Sequence, residues 1–388
     1  MKRVVQFGAG NIGRGFLGQL YSASGWHTTY VDVDPELVQA LNREQGFAIH
    51  IVGPGATTIR VENVSAVHGR DLDAVAAAVD EADLVGTSVG VNALGHIVDP
   101  LAAGLARRAR RGAGVDVLIC ENLLHAADFL QTRLRAALDP EAHEFLARRV
   151  GLVETVVSRM IPVVEPERRA AEPLAAWVEA YNILPVDRSA LRNGLPEIQG
   201  LEFIDDITAY EERKLFCHNC MHALASYFGY ERGYRFIYQV MEDAALRDRV
   251  RAGAWEAGEG LVQRHGFTRD QHEAHIQDLL ARFANRALAD TVARCGGDPV
   301  RKLGHHDRLV GAALLALEYG VEPEVLAEGI AAAMRFAPPG DPSAPRLQDL
   351  LRREGVEHVL RELCGLRPDE PLYAMVLAAA DARGLPAG

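Results

Sequence analysis

Cysteine is scarce: there are five in 388 residues, an odd number with no framework spacing, which excludes the disulfide-stapled secreted class. No apolar run reaches the ~18–20 residues that a membrane span requires. Positive charge is in deficit, with 41 Lys and Arg against 53 Asp and Glu and a net charge of −12, whereas a phosphate-backbone partner demands clustered cations. Internal repeats and low-complexity tracts are also missing. Met1-Lys2-Arg3 has the charge of a signal peptide, but Val4-Val5-Gln6-Phe7 runs at once into glycines and is too short for an h-region. The expectation is a cytoplasmic protein with no nucleic-acid and no membrane partner, a monomer or a small homo-oligomer. Its 48% hydrophobic and 24% charged residues suit a globular protein, and its length exceeds what one core serves, so two domains are expected.

What is present begins at the N-terminus. Val4–Phe7 has the pattern of a buried strand, and Gly8-Ala9-Gly10-Asn11-Ile12-Gly13 follows directly. Ile12, Phe16, Leu17 and Leu20 then recur at helical spacing as far as Gly25. A β-branched and aromatic stretch, Thr28–Val31, ends at Asp32, nineteen residues after Gly13. Each part has a physical task in dinucleotide binding. Gly8 permits the tight turn, Gly10 lets backbone approach a pyrophosphate, and Gly13 lets helix and strand pack closely. Free N–H groups at the helix start favour the anion. A carboxylate at Asp32 accepts from ribose hydroxyls and repels a 2′-phosphate, which favours NAD over NADP. A glycine turn alone is a weak signal, but the ordered strand, turn, helix, strand and acid make it specific. Arg14 either reaches a phosphate or is a solvated helix residue.

Further strand and helix patterns follow. Ala56–Val61 and Val64–Val67 have strand character, and Leu72–Val79 is helical. Asp83–Val91 reads as a strand whose end would lie at the ligand-binding edge of an open sheet, so Gly90 and Val91 are candidates to lie beside a nicotinamide; a routine turn is the competing account. Leu94–Arg107 reads as a helix and Val115–Cys120 as a strand, placing Asn122 at the same edge with a carboxamide able to donate to a substrate oxygen. Val150–Pro185 carries the last sheet strands, and the Gly/Pro-punctuated Ala190–Pro196 marks the boundary. The fold class expected is therefore an α/β N-terminal Rossmann-type domain over residues 1–190 and a mostly α-helical C-terminal domain over 191–388.

A helix starting near Ile207 carries Lys214, Asn219 and His222. At about 100° per residue these fall near 0°, 140° and 80°, within reach of one cleft wall. Oxidising an alcohol by hydride transfer needs a base for the hydroxyl proton, and a partly desolvated lysine serves. It also needs donors for the developing oxyanion, as carboxamides supply. On spacing alone, a solvated helix face is the commoner explanation of such a trio.

Lys214-Leu-Phe-Cys-His-Asn219-Cys-Met-His222 resembles the Lys-x4-Asn-x2-His signature of the polyol-specific long-chain dehydrogenases/reductases. Other segments agree in order: the opening VVQFGAGNIGRGFLGQL, Asp32, Cys120-Glu121-Asn122, Ser158–Pro162, Arg282–Asn285, Asp290-Thr291, Arg301-Lys302-Leu303 and Asp307-Arg308-Leu309. The likeness covers nearly the whole chain, and the length suits the mannitol-1-phosphate branch. It implies Lys214 as general base, Asn122 and Asn219 as an oxyanion hole, His222 as a substrate ligand, and metal-independent, NAD-linked interconversion of mannitol 1-phosphate and fructose 6-phosphate. Arg282, Arg294, Arg301 and Lys302 are the candidate partners of the substrate phosphate, with surface ion pairing the plainer account. Cys217-His218 and Cys220-Met221 depart from the small or apolar residues usual inside the signature, and substrate preference is correspondingly open.

Cys217, His218, Cys220 and His222 have a superficially zinc-like spacing, but no second CxxC pair closes a tetrahedral site, so no metal is expected. His305 and His306, being adjacent, are expected to point apart. Two rival functions remain: a family member acting on an unphosphorylated polyol or a uronate, and a non-catalytic NAD-binding redox sensor.

Overall fold

A computed structural model describes residues 1–386. The chain divides into two units, Met1–Tyr210 and Glu211–Gly388.

The first unit contains eleven strands. β1 (Arg3–Phe7), β2 (His27–Asp32), β3 (Gly46–Ile51), β4 (Thr57–Glu62) and β5 (Val64–His68) come first. β6 (Leu84–Thr87), β7 (Val115–Ile119), β8 (Val150–Glu154), β9 (Ala176–Val178), β10 (Leu184–Asp187) and β11 (Leu201–Ile204) follow. Six form one parallel sheet in the order β5-β2-β1-β6-β7-β8. The central strands β1, β6, β7 and β8 are buried almost end to end because helices cover both faces. Val5 and Phe7 pack on one side with Val85, Val117 and Leu101, while Val4 packs on the other with Phe16, Leu20 and Leu118. The strand order reverses between β1 and β6, the switch point at which open α/β sheets bind ligands.

The strand character of 56–61 holds: β4 pairs antiparallel with β3, and β9 completes a separate three-stranded sheet. β3 escaped notice because Gln45, at φ 49°, turns the preceding helix straight into the strand with no intervening loop. The 83–91 strand stops at Thr87, and Gly90 at φ 87° belongs to the turn beyond it.

The units divide at Tyr210–Glu211, twenty residues beyond the Gly/Pro segment near 190. That segment stays with the first unit because Asp116, inside β7 and buried, accepts the backbone N–H groups of Arg192 (2.9 Å) and Asn193 (3.1 Å) and the Asn193 carboxamide (2.9 Å). β11 then pairs in parallel with β10.

The second unit is helical. Its longest helix, Ala244–His265, starts at Asp243, whose carboxylate accepts the N–H groups of Ala245 and Leu246. Asp243 also ends the short helix Ile237–Glu242 that precedes it. Glu324–Met334 and Pro371–Asp381 follow their apolar periodicity. Among the described residues no helix is long and apolar enough to cross a membrane.

Candidate active site

In the first unit the glycine-rich turn joins β1 to a helix over 11–23 whose first part, Gly13–Leu17, is a π-turn. Gly8 has φ 90°, which only glycine adopts without strain. A Cβ at Gly13 would lie 2.0 Å from the Gly8 carbonyl oxygen, so helix and turn touch there. A Cβ at Gly10 would meet nothing within 4 Å. These are three different demands on three glycines, and together they leave a cradle open at Gly10. The cradle opens onto a cleft of about 600 Å³ lined by Gly8, Gly10, Asp32, Arg70, Ser88 and Val89 among others. Its size and position suit a dinucleotide.

Asp32 stands at the end of β2 and lines this cleft, and its carboxylate also orders the turn. Oδ2 accepts the Ala9 N–H at 2.8 Å and Oδ1 the Asp34 N–H at 3.1 Å. Ala9 is thereby buried with its N–H committed, whereas Gly10 and Asn11 are exposed and Ile12 packs partly into the core. Arg14 is not solvated: it is 8% exposed, and its Nε and Nη1 find no partner among the described residues. Burial lowers its pKa, with Tyr30 and Asp32 opposing. Arg159, from the Ser158–Pro162 segment, locks the same helix by donating to the Gly15 carbonyl (3.0 Å) and Gln19 (2.6 Å).

At the other end of the cleft the backbone beyond β6 is held by a residue to which the sequence reading assigned no role. Glu121 is buried, and its two carboxylate oxygens accept the N–H groups of Val89 and Gly90, each at 2.8 Å. Burial raises its pKa while those N–H groups pull it down. Val89 lines the cleft; Val91 is 42% exposed. Asn122 follows Glu121 at the edge of β7 and is exposed.

In the second unit the segment Lys214–Asn219 is a π-turn set between the α-helices Ile207–Arg213 and Cys220–Glu231. This corrects the uniform 100° spacing. The wider i→i+5 winding brings residues five apart closer in angle than α-helical spacing does, and Lys214 and Asn219 are five apart. Lys214 is half-buried, and burial, with Arg308 adding like charge against Glu211, pulls its pKa down to about 8. The chain has only three lysines among its 41 basic residues, Lys2, Lys214 and Lys302. Arginine does not release a proton near neutral pH, and lysine does when desolvated. The two internal lysines are thus the basic side chains suited to proton transfer.

His222 stacks on Phe283 at 4.2 Å and 13°. Burial first, then Arg294, Lys302, Arg308 and Arg282, bring its pKa down to about 3, so it is neutral. Its Nε2 lies 3.8 Å from Asp290 Oδ2, too far for a hydrogen bond, and both atoms are buried without a partner among the described residues. Such unmet groups cost on the order of 1–3 kcal/mol each. A ligand hydroxyl, as donor and acceptor, satisfies both.

The cations around this pair are already engaged. Arg294 bonds Asp290, and Lys302, buried, donates to the Cys295 carbonyl. Burial, then Arg308 and Arg301, bring the Lys302 pKa to about 7. Arg301 pairs with Asp298 (2.9 Å) and Asp307 (3.2 Å), and Arg282 with Asp278 (3.2 Å). Arg308, bonded to Asp307 at 2.6 Å, acts on Lys214, His222 and Lys302 alike. Neither Arg308 nor Asp290 was singled out from sequence, although both sit in short motifs that point here.

His222, Asp290 and Cys295 present ligand-type atoms within 4.8 Å of one another. Arg294 bonds Asp290 and Lys302 the Cys295 carbonyl in the same cluster, so these positive charges oppose a divalent cation there. Cys217 and Cys220 belong to no such group. Both thiols are buried, and burial pushes Cys217 up to about 12 and Cys220 well above its ordinary value. His305 donates its Nδ1–H to the Cys364 carbonyl at 3.0 Å. Its ring stands 4.7 Å from that of His306, so the two do not point apart.

Comparison with known proteins agrees with this division of labour. Residues 2–200 match the model of the mannitol dehydrogenase Rossmann domain, and 206–367 that of the mannitol dehydrogenase C-terminal domain. Mannitol-1-phosphate 5-dehydrogenase of Bacillus subtilis (strain 168) is 36% identical over 374 residues, spanning 96% of this chain and 98% of that protein. The same-named protein of Arthrobacter sp. (strain FB24) is 37% identical over 380 residues, 98% of each. Among solved structures, Pseudomonas fluorescens mannitol 2-dehydrogenase in ternary complex with NAD and D-mannitol superposes with a TM-score of 0.77 at 19% identity, covering 98% of this chain and 91% of that one. A substrate-free D-sorbitol dehydrogenase gives 0.81 at 16%, covering 97% and 92%. Domain matches and near-full-length identity together place the chain in the mannitol dehydrogenase family of oxidoreductases.

Proposed function

We propose that the protein is an NAD-dependent mannitol-1-phosphate 5-dehydrogenase, interconverting mannitol 1-phosphate and fructose 6-phosphate without a metal. The observation that supports this is the π-turn running from Lys214, whose pKa is pulled down to about 8, to Asn219, followed by the half-buried, neutral His222 with cations around it.

Gly8, Ala9, Gly10, Asn11, Ile12 and Gly13 would hold the NAD pyrophosphate, Asp32 the adenosine ribose, and Gly90 and Val91 the nicotinamide end. Bound NAD⁺ supplies the hydride acceptor. Lys214, neutral in about half of the molecules near pH 8, takes the hydroxyl proton of the substrate. Asn122 and Asn219 donate to the oxygen as its negative charge develops. His222 and Asp290 hold a neighbouring hydroxyl. Arg282, Arg294, Arg301 and Lys302, to which Arg308 is now added, draw the phosphate, each exchanging part of an existing ion pair or carbonyl bond for it.

The preference for NAD over NADP rests on the Asp32 carboxylate at the ribose end of the cleft. A sugar-phosphate substrate agrees with the names of the relatives and with the cationic surroundings of His222. NADH oxidation measured side by side with fructose 6-phosphate, fructose and a uronate tests the assignment. Only the phosphorylated ketose is expected to turn over well. Comparable rates with fructose would assign the enzyme to the unphosphorylated branch, and NADH binding without turnover of any of them would favour a redox sensor.

A further inference from the structure

Glu121 stands at the exit of β7, one residue before Asn122, and is 8% exposed. Both of its carboxylate oxygens are committed to one short stretch of backbone. They accept the N–H groups of Val89 and Gly90, each at 2.8 Å. The same stretch is pinned from the β1 side as well. The Ser88 N–H donates to the Phe7 carbonyl at 2.9 Å, and the buried Gln6 carboxamide donates to Ser88 Oγ at 3.0 Å. Ser88 and Val89 line the cofactor cleft, and Gly90, at φ 87°, carries the chain onward from it. A turn does not need a carboxylate for this. A neutral oxygen or a water satisfies an N–H group, whereas a charge taken out of water is costly unless a counter-charge meets it. Among the described residues no Lys, Arg or His pairs with Glu121; burial and the hydrogen-bond donors around it are what act on it. Those donors favour its ionised form, so a negative charge is kept beside the cleft with no cation of this chain to meet it.

We propose that Glu121 is a positioning residue for the nicotinamide end of the cofactor and the counter-charge of the oxidised ring. The inference rests on the reading that puts Gly90 and Val91 at that end. The ring of NAD⁺ is positive and that of NADH is neutral, so a fixed negative charge nearby attracts the first and not the second. A group that binds one of two states more tightly shifts the equilibrium between them by that difference. Glu121 therefore favours bound NAD⁺ over bound NADH, and with it the polyol phosphate over the ketose phosphate.

Position and charge can be separated by substitution. Glu121→Gln keeps the length of the side chain and removes the charge. Glu121→Asp keeps the charge and is one methylene too short to reach both N–H groups from the same backbone. A strut without an electrostatic part would respond to both in the same way for either form of the cofactor.

The test measures, by calorimetry on the full-length protein, the affinities of NAD⁺, NADH and ADP-ribose, which lacks the ring, for wild type, Glu121→Gln and Glu121→Asp. Melting temperatures check that each variant folds. Glu121→Gln is expected to weaken NAD⁺ about tenfold and NADH by less than about threefold, with ADP-ribose within about twofold of wild type. Glu121→Asp should weaken NAD⁺ and NADH together and leave their ratio within about twofold of wild type; it carries the test should Glu121→Gln not fold. Equal losses of NAD⁺ and NADH affinity in Glu121→Gln, no loss of either, or an equal loss for ADP-ribose would overturn the proposal. So would a changed ratio, or no loss at all, in Glu121→Asp. A wild type that binds both nucleotides without reducing fructose 6-phosphate would remove the polyol-phosphate reading, and the affinities would still decide the role of Glu121.

Discussion

The cofactor cradle and the catalytic cluster are built in opposite ways. The cradle is backbone: three glycines within six residues, one positive φ, a close approach of Gly13 to the Gly8 carbonyl that admits no Cβ, and a carboxylate gripping the turn. The cluster is side chains gathered from 214–222, 282–283, 290–295 and 301–308, with Asp290 and Lys302 buried, Lys214, His222 and Arg308 half-buried, and like charges close to one another. Backbone demands leave a contiguous signature that can be read from a sequence. A charge cluster leaves scattered residues, each of which looks like an ordinary ion pair. The cradle also gains order from its bonds, whereas the cluster keeps unmet atoms, Asp290 Oδ2 and His222 Nε2, that a substrate would complete.

The contrast can be broken first at the base. Lys214→Ala should lower the rate of fructose 6-phosphate reduction by about 10²–10⁴ while the melting temperature and NADH binding hold; a near-normal rate means another group is the base. The cradle should fail differently. Gly13→Ala forces a methyl against the Gly8 carbonyl, an overpacking cost of about 1–3 kcal/mol, so NADH affinity measured by fluorescence should fall by about tenfold or more. An unchanged affinity would mean that turn and helix can part without loss.

Smaller effects sharpen the electrostatics. Lys214 must be neutral to accept a proton, so polyol oxidation should rise with pH through about 8. Ketose reduction needs the ammonium and should fall across the same range. Because Arg308 depresses the Lys214 pKa, Arg308→Gln should move both profiles to higher pH, and Arg308→Lys, which keeps the charge, should not. A profile indifferent to either substitution would detach Arg308 from the base.

How much was legible follows from the same contrast. The strand, turn and helix around Gly8–Gly13 and the acid at Asp32 stand where the spacing put them, since each is dictated by local backbone geometry. The helix carrying Lys214, Asn219 and His222 was legible too, but its π-turn was not, because a uniform periodicity cannot register one extra residue per turn. Arg14, left open between a phosphate contact and a solvated helix position, is buried. Asp290, Arg308 and Glu121 were passed over: a single acid or arginine in a helical stretch carries no sign of what it will face once distant segments pack. The strand at 57–62 was legible but its pairing with β3 was not, because alternation predicts a strand and not the sheet it joins.

The most direct measurement of the central claim is a ¹³C NMR titration of the protein labelled at lysine Cε. With only three lysines in the chain, every signal can be assigned by substitution. The account predicts one resonance with a midpoint near 8, absent from Lys214→Arg. A Lys214 signal titrating at the ordinary lysine value of about 10.4 would contradict it.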